Sequence, residues 1–116
     1  MSNRTPDLLV EDIIDSINKI NKYISGIGYE KFIKDDKTAD AVIRNFEIIG
    51  EASWRLPPEF KSKYSKIDWE KLRGFRNRIV HDYFGIDYEI VWNIIKTTLP
   101  EFEIGIKAIL EEIKKR

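Results

Sequence analysis

The residues best equipped for chemistry lie between Trp69 and Phe84, in the segment WEKLRGFRNRIVHDYF. Basic side chains outnumber acidic ones in this segment, and it contains the only histidine of the chain. Arginine donates paired hydrogen bonds to phosphate and keeps its charge, while histidine titrates near neutral pH and can transfer protons. An arginine together with a histidine is therefore suited to phosphodiester cleavage.

Arg76 and His81 do not share a face of an ideal helix, because five residues of helix rotate the side chain to a position about 140° away. A second copy of the chain, related by a two-fold axis, could bring an arginine and a histidine from different chains to one phosphate. We therefore expect a homodimer whose interface includes the helix from Trp69 to Tyr83. Three apolar side chains are expected to form its contact surface: Trp69, Phe75 and Ile79. The same spacing predicts that Asn77, Arg78 and His81 lie on the more polar side of the helix.

Spacing alone leaves structural roles open for these residues. An arginine and a histidine near a helix C-terminus can simply offset the helix dipole. The pair Arg78 and Asp82, four residues apart, is compatible with a solvated ion pair, and Lys71 and Arg73 with a solvated face. The three tryptophans are predicted to pack in the core or in a dimer interface and not to stack on bases: Trp54, Trp69 and Trp92.

Composition restricts the classes of protein to consider. The chain has 116 residues, enough for one domain over 1–116, and is 42% hydrophobic and 34% charged. Twenty basic residues balance twenty acidic ones, so no overall field attracts nucleic acid or anionic membrane. The lack of cysteine and the single histidine argue against disulfides, thiolate catalysis and a zinc site. We expect a cytoplasmic protein without a metal or cofactor and without a membrane segment.

Apolar residues recur at helical spacing along almost the whole chain. Thr5-Pro6-Asp7 predicts the start of a first long helix, and Asp35-Asp36 predicts a cap for a second one that Pro57-Pro58 must end. Asp68 is the expected cap of a third helix that runs from Trp69 to about Asp82. Two more helices are expected, one from Tyr88 to Thr98 and one opened or kinked by Pro100. The predicted fold is all-α, an antiparallel bundle of four to five helices.

The stretch RNRIVHDYF resembles the RX4HXY motif of HepT-like toxins in the HEPN superfamily, with Arg76, His81 and Tyr83 at its three fixed positions. The resemblance extends to RNFEIIGEA at 44–52, DW at 68–69, GFRNRIVHDYFGID at 74–87 and VW at 91–92. The resemblance covers nearly the whole chain, and these segments follow one another in family order and spacing, so together they are far more specific than the short motif.

The resemblance implies a HEPN-like dimeric helical domain that is the metal-independent endoribonuclease toxin of a HepT/MNT-type toxin–antitoxin pair. It implies catalytic roles for Arg76 and His81 at a composite homodimer site, and Asn77 and Arg78 are candidates for binding the RNA substrate. The implied partner is a minimal nucleotidyltransferase (MNT) antitoxin, which would adenylylate Tyr83. No DNA is expected to bind the toxin alone.

Two other interpretations remain open at this stage. The same residues could bind phosphate without cutting it, in a non-catalytic nucleotide-binding helical subunit that partners a minimal nucleotidyltransferase. Alternatively, the chain could be a plain dimerisation module in which the motif is incidental.

Overall fold

The computed structural model describes residues 4–79, apart from the Arg76 side chain, and residues 85–116. Within these ranges the chain is helical and has no β-strand, which confirms the predicted all-α class. None of the described helices is long and apolar enough to cross a membrane. The helices are α1 (Pro6–Ile24), α2 (Tyr29–Lys34), α3 (Asp36–Arg55), α4 (Pro58–Lys63), α5 (Trp69–Arg73), α6 (Phe75–Ile79), α7 (Tyr88–Asn93), a π-helical turn (Ile94–Thr98) and α8 (Leu99–Lys114).

The predicted starts of three helices are confirmed by side-chain caps. Thr5 Oγ1 accepts a hydrogen bond from the Leu8 backbone N–H at 3.3 Å. Asp35 and Asp68 accept in the same way from backbone N–H groups three residues later, each at 3.1 Å. Each cap satisfies one of the N–H groups that have no partner in the first helical turn. The short polar side chains therefore define where α1, α3 and α5 begin.

The core lies between α1, α3 and α8, and the α5–α6 segment packs on α3. The apolar stripes of α1 and α3 are buried as their spacing predicts, and α8 covers them with its own apolar face. Three phenylalanines link the layers, because the Phe75 ring lies 5.2 Å from the Phe46 ring and 5.8 Å from the Phe102 ring, centroid to centroid. Phe75 thereby attaches α6 to both α3 and α8.

The third predicted helix is interrupted at Gly74. Helix α5 ends at Arg73 and α6 begins at Phe75, although the Gly74 N–H still donates to the Glu70 carbonyl oxygen at 2.9 Å. The predicted end near Asp82 lies outside the described residues.

The prediction that this helix presents an apolar contact surface to a second chain is wrong. Trp69, Phe75 and Ile79 are only 7%, 0% and 1% exposed within a single chain. A helical stripe identifies an apolar face but does not indicate whether the covering surface belongs to the same chain or to another. Trp54, by contrast, is 56% exposed and is not part of the core.

Candidate functional site

Helix α6 carries the first part of the candidate motif. Its buried face consists of Phe75 and Ile79, whereas Asn77 and Arg78 are exposed, as predicted from their spacing. Arg76 lies in this helix between the buried Phe75 and the exposed Asn77. The packing of Phe75 therefore fixes the position of the helix that contains Arg76.

A backbone hydrogen bond connects the end of α6 with the segment just before α7. The Asp87 backbone N–H donates to the Ile79 carbonyl oxygen at 3.1 Å. Gly85 has a φ of +94°, a left-handed conformation that glycine adopts without a steric penalty. His81 and Tyr83 lie outside the described residues, so the angle between Arg76 and His81 and the exposure of Tyr83 stay predictions.

A cleft of about 470 Å³ lies between α6 and α7. Its α6 side is formed by two candidate substrate-binding residues, Asn77 and Arg78. Its α7 side includes Asp87, which caps α7 by accepting from the Ile90 N–H at 3.2 Å, and Glu89. Burial raises the pKa of nearby Tyr29, and the carboxylates of Glu89 and Asp87 raise it further. Arg78 makes the α6 wall of the cleft basic, whereas Asp87 and Glu89 make its α7 wall acidic.

A second groove, of about 500 Å³, is also bordered by Asn77 of α6. Its walls come from the start of α1, the outer face of α3 and the α5–α6 segment. The sequence interpretation missed this groove, because it treated Arg73 as part of a solvated face and Trp54 as packed. Its signal lay in the RNFEIIGEA segment and just after it, where polar residues recur every three or four positions from Arg44 to Arg55.

A close backbone contact fixes the base of this groove. A Cβ atom at position 50 would lie 3.2 Å from the Arg73 carbonyl oxygen, which is tighter than ordinary van der Waals contact. Gly50 therefore lets the end of α5 approach α3 closely. This contact sets the separation between the outer face of α3 and the helix that contains Arg76.

Residues 4–79 and 85–116 contain no cluster of side chains that could bind a metal ion. No three acidic side chains in these ranges converge closely enough to hold a metal ion. Two of the acidic residues at the larger groove instead face arginines: Arg55 Nε lies 3.1 Å from Glu51 Oε1, and Arg4 Nε lies 2.6 Å from Asp12 Oδ2.

Comparisons with known proteins agree with the sequence resemblance. The chain matches the family described as "Ribonuclease HepT-like" over residues 13–109. It is 39% identical over 111 residues to a protein of Caldanaerobacter subterraneus subsp. tengcongensis named "Putative RNase", covering 96% of this chain and 99% of that one. It is 37% identical over 106 residues to the "Probable ribonuclease HepT" of Thermococcus cleftensis, covering 91% and 93% of the two chains. No solved structure matches the chain significantly.

Proposed function

The chain belongs to the HepT-like ribonuclease family, and we propose that it is the metal-independent endoribonuclease toxin of a cytoplasmic HepT/MNT-type pair. The observation that carries this proposal is the family match over residues 13–109, which includes an intact RX4HXY string. The exposed part of α6 next to Arg76 supports it, because Asn77 borders both the cleft and the larger groove.

In the proposed reaction the ribose 2′-hydroxyl oxygen attacks the adjacent phosphorus. The bond from phosphorus to the 5′ oxygen breaks, and a 2′,3′-cyclic phosphate remains on the upstream fragment. His81 accepts the proton of the attacking hydroxyl and returns a proton to the departing 5′ oxygen. Arg76 binds the non-bridging phosphate oxygens and neutralises the charge that develops on them. Asn77 and Arg78 orient the neighbouring nucleotides from the exposed side of α6.

The proposed active form is a homodimer, because Arg76 and His81 are about 140° apart on an ideal helix. Its interface would use the exposed side of α6, since Phe75 and Ile79 are already buried within one chain. Light scattering at micromolar concentration should give twice the mass of one chain. A monomer whose RNase activity stays proportional to protein concentration at every dilution would exclude a composite site.

The proposed off-switch is Tyr83. In this reaction its phenolic oxygen attacks the α-phosphorus of ATP on the MNT antitoxin, pyrophosphate leaves, and an adenylate ester remains on the tyrosine. The added anionic nucleotide would compete with RNA for the arginine and histidine of the same motif. Mass spectrometry after incubation with the antitoxin and ATP should find an adenylate on the wild-type chain and none on Tyr83→Phe. Equal inhibition of both chains would contradict this role.

RNA cleavage in the presence of EDTA tests the central proposal. The wild-type chain should cut single-stranded RNA with excess chelator and leave cyclic-phosphate ends. It should not cut the same sequence carrying 2′-O-methyl groups, because these block the attacking hydroxyl. Binding of RNA or nucleotide without any cleavage would favour the non-catalytic nucleotide-binding subunit instead.

A further inference from the structure

Apart from Asn77, the residues that line the larger groove, Trp54 among them, have no part in the proposed reaction. Trp54 is 56% exposed, whereas Trp69 is 7% exposed and donates its indole N–H to backbone carbonyl oxygens of α4 and of the turn that follows it. Trp92 packs on Phe32 with ring centroids 5.2 Å apart. Among the described residues, no other ring contacts Trp54. It is therefore the one tryptophan of the three whose ring face is available to a ligand.

An isolated exposed apolar side chain is common, so the surroundings of Trp54 carry the argument. Seven of the thirteen residues that line the groove are charged, four of them arginines and three of them carboxylates. Tryptophan and arginine are also frequent in protein–protein interfaces, but acidic side chains are depleted at their centre, and three carboxylates line this groove, which disfavours a second protein chain as the occupant. An aromatic ring among arginines is characteristic of surfaces that bind single-stranded nucleic acid.

The nearly balanced charge indicates which part of a nucleotide fits here. A run of phosphates would favour arginines alone, whereas the edge of a base presents both N–H donors and acceptors. The ion pair between Arg55 and Glu51, at 3.1 Å, lies within one helical turn of Trp54 and offers a donor beside an acceptor. The groove is thus better suited to a base than to a phosphate backbone.

The groove also reaches the candidate catalytic helix. Arg73 and Asn77 line it, and Arg76 lies between them in the sequence. Asn77 directly follows Arg76, so their Cα atoms are about 3.8 Å apart. A nucleotide adjacent to one bound at Arg76 could therefore reach the groove.

We propose that this groove binds an unpaired base of the RNA substrate, stacked on Trp54, beside the phosphate that is cut. The inference rests on the proposed ribonuclease function for the identity of the substrate. Base stacking on an aromatic side chain changes affinity by roughly tenfold to a hundredfold on substitution with alanine. Trp54 would accordingly determine how tightly RNA is held and not how fast the bound RNA reacts.

The test measures binding and cleavage separately. A fluorescein-labelled 2′-O-methyl oligonucleotide of twelve residues, without self-complementarity, reports binding by anisotropy because it lacks the attacking hydroxyl. Trp54→Ala should weaken its binding about tenfold or more, and Trp54→Phe should restore most of it. With cleavable RNA of the same sequence, Trp54→Ala should raise KM by a similar factor and leave kcat within about twofold.

Ile104→Ala is the matched control, because Ile104 is an apolar side chain with 73% exposure on α8, outside the groove. It should change neither binding nor KM. Unchanged binding in Trp54→Ala would overturn the proposal, and so would a shift from dimer to monomer in light scattering, which would make the groove a protein interface. If the wild type cuts no RNA but Trp54→Ala still loses oligonucleotide binding, the groove assignment stands and the proposed catalytic function fails.

Discussion

The α1–α3–α8 bundle and the α5–α6 segment are both helical, but they differ in length and in what their exposed faces carry. The bundle helices have 16 to 20 residues and bury continuous apolar stripes. Helices α5 and α6 have five residues each, are separated at Gly74, and hold their place through a few buried side chains such as Leu72 and Phe75. The bundle can form its own core, whereas the short segment depends on it.

Because of this difference, stability and ligand contact depend on different faces of α6. The exposed face of α6 contributes little burial, so its polar residues are free to contact a ligand without disturbing the core. The buried face of the same helix is continuous with the bundle through the rings of Phe46, Phe75 and Phe102. Substitutions on the two faces of one five-residue helix should therefore have different consequences.

The largest expected effect is on RNA cleavage when either of the motif residues Arg76 and His81 is replaced. Arg76→Ala and His81→Ala should each lower kcat for RNA cleavage by about a hundredfold to a thousandfold or more, because each removes a group acting in the transition state. The melting temperature should remain within about 2 °C of the wild type, because the lost interactions are expected to be with RNA and not within the fold. Lys19→Ala, which removes an exposed cation from α1, should change neither quantity. Loss of the folded state in either motif variant would remove the contrast between the two regions.

The next largest effect should be on stability, when the ring that Phe75 contacts on α3 is removed. Phe46 is fully buried and meets Phe75 edge to face at 5.2 Å. Phe46→Ala should lower the free energy of unfolding by about 3–5 kcal/mol, because it removes a large buried ring and leaves a cavity. Urea denaturation measures this loss, and Ile104→Ala on the surface should cost under about 0.5 kcal/mol. Equal losses in the two variants would mean that the stripe on α3 is not the stabilising core.

The sequence predicts the bundle well because burial follows a period. Leu9, Ile13 and Ile17 recur at helical steps and are at most 3% exposed, and the caps at Thr5, Asp35 and Asp68 depend only on residues three positions away. The relevant signals are local. The overall class and the helix starts could therefore be predicted before any tertiary contact was known.

The candidate site could be predicted only in part, because its geometry depends on contacts between distant segments. The spacing correctly assigns Phe75 and Ile79 to a buried face and Asn77 and Arg78 to an exposed one. The same spacing leads to the wrong prediction that this face packs against a second chain, because periodicity does not indicate which surface covers an apolar face. The groove beside Trp54 brings together parts of α1, α3 and α5, of which α1 and α5 are more than sixty residues apart, and no local pattern encodes that.

Gly50 connects the two regions, and its substitution should have an intermediate effect. Alanine favours a helix interior by about 1 kcal/mol over glycine, but its Cβ would lie 3.2 Å from the Arg73 carbonyl oxygen. Overpacking against a backbone atom costs about 1–3 kcal/mol. Gly50→Ala should therefore destabilise the chain by about 1 kcal/mol and also lower RNA cleavage, because α5 must move relative to α3. Gly28→Ala, whose Cβ would meet nothing within 4 Å, should leave RNA cleavage unchanged.

The smallest expected effect is at the cap of α3, far from the motif helix. The Thr38 hydroxyl and backbone N–H both donate to the Asp35 carboxylate, at 2.7 and 3.1 Å, and these bonds hold the pKa of Asp35 below its ordinary value of 3.8. A lowered carboxyl pKa stabilises the fold fully above that ordinary value, and the contribution is lost as the pH falls through the lower, folded-state pKa. Asp35→Ala should lower the melting temperature by a few degrees at pH 7, lose part of the wild type's sensitivity to acid below about pH 4, and leave RNA cleavage unchanged. Asp36→Ala, one residue later and without the capping bonds, should have a smaller effect. If Asp35→Ala instead impaired cleavage at a temperature where it is fully folded, the bundle and the motif segment would be coupled more tightly than their packing indicates.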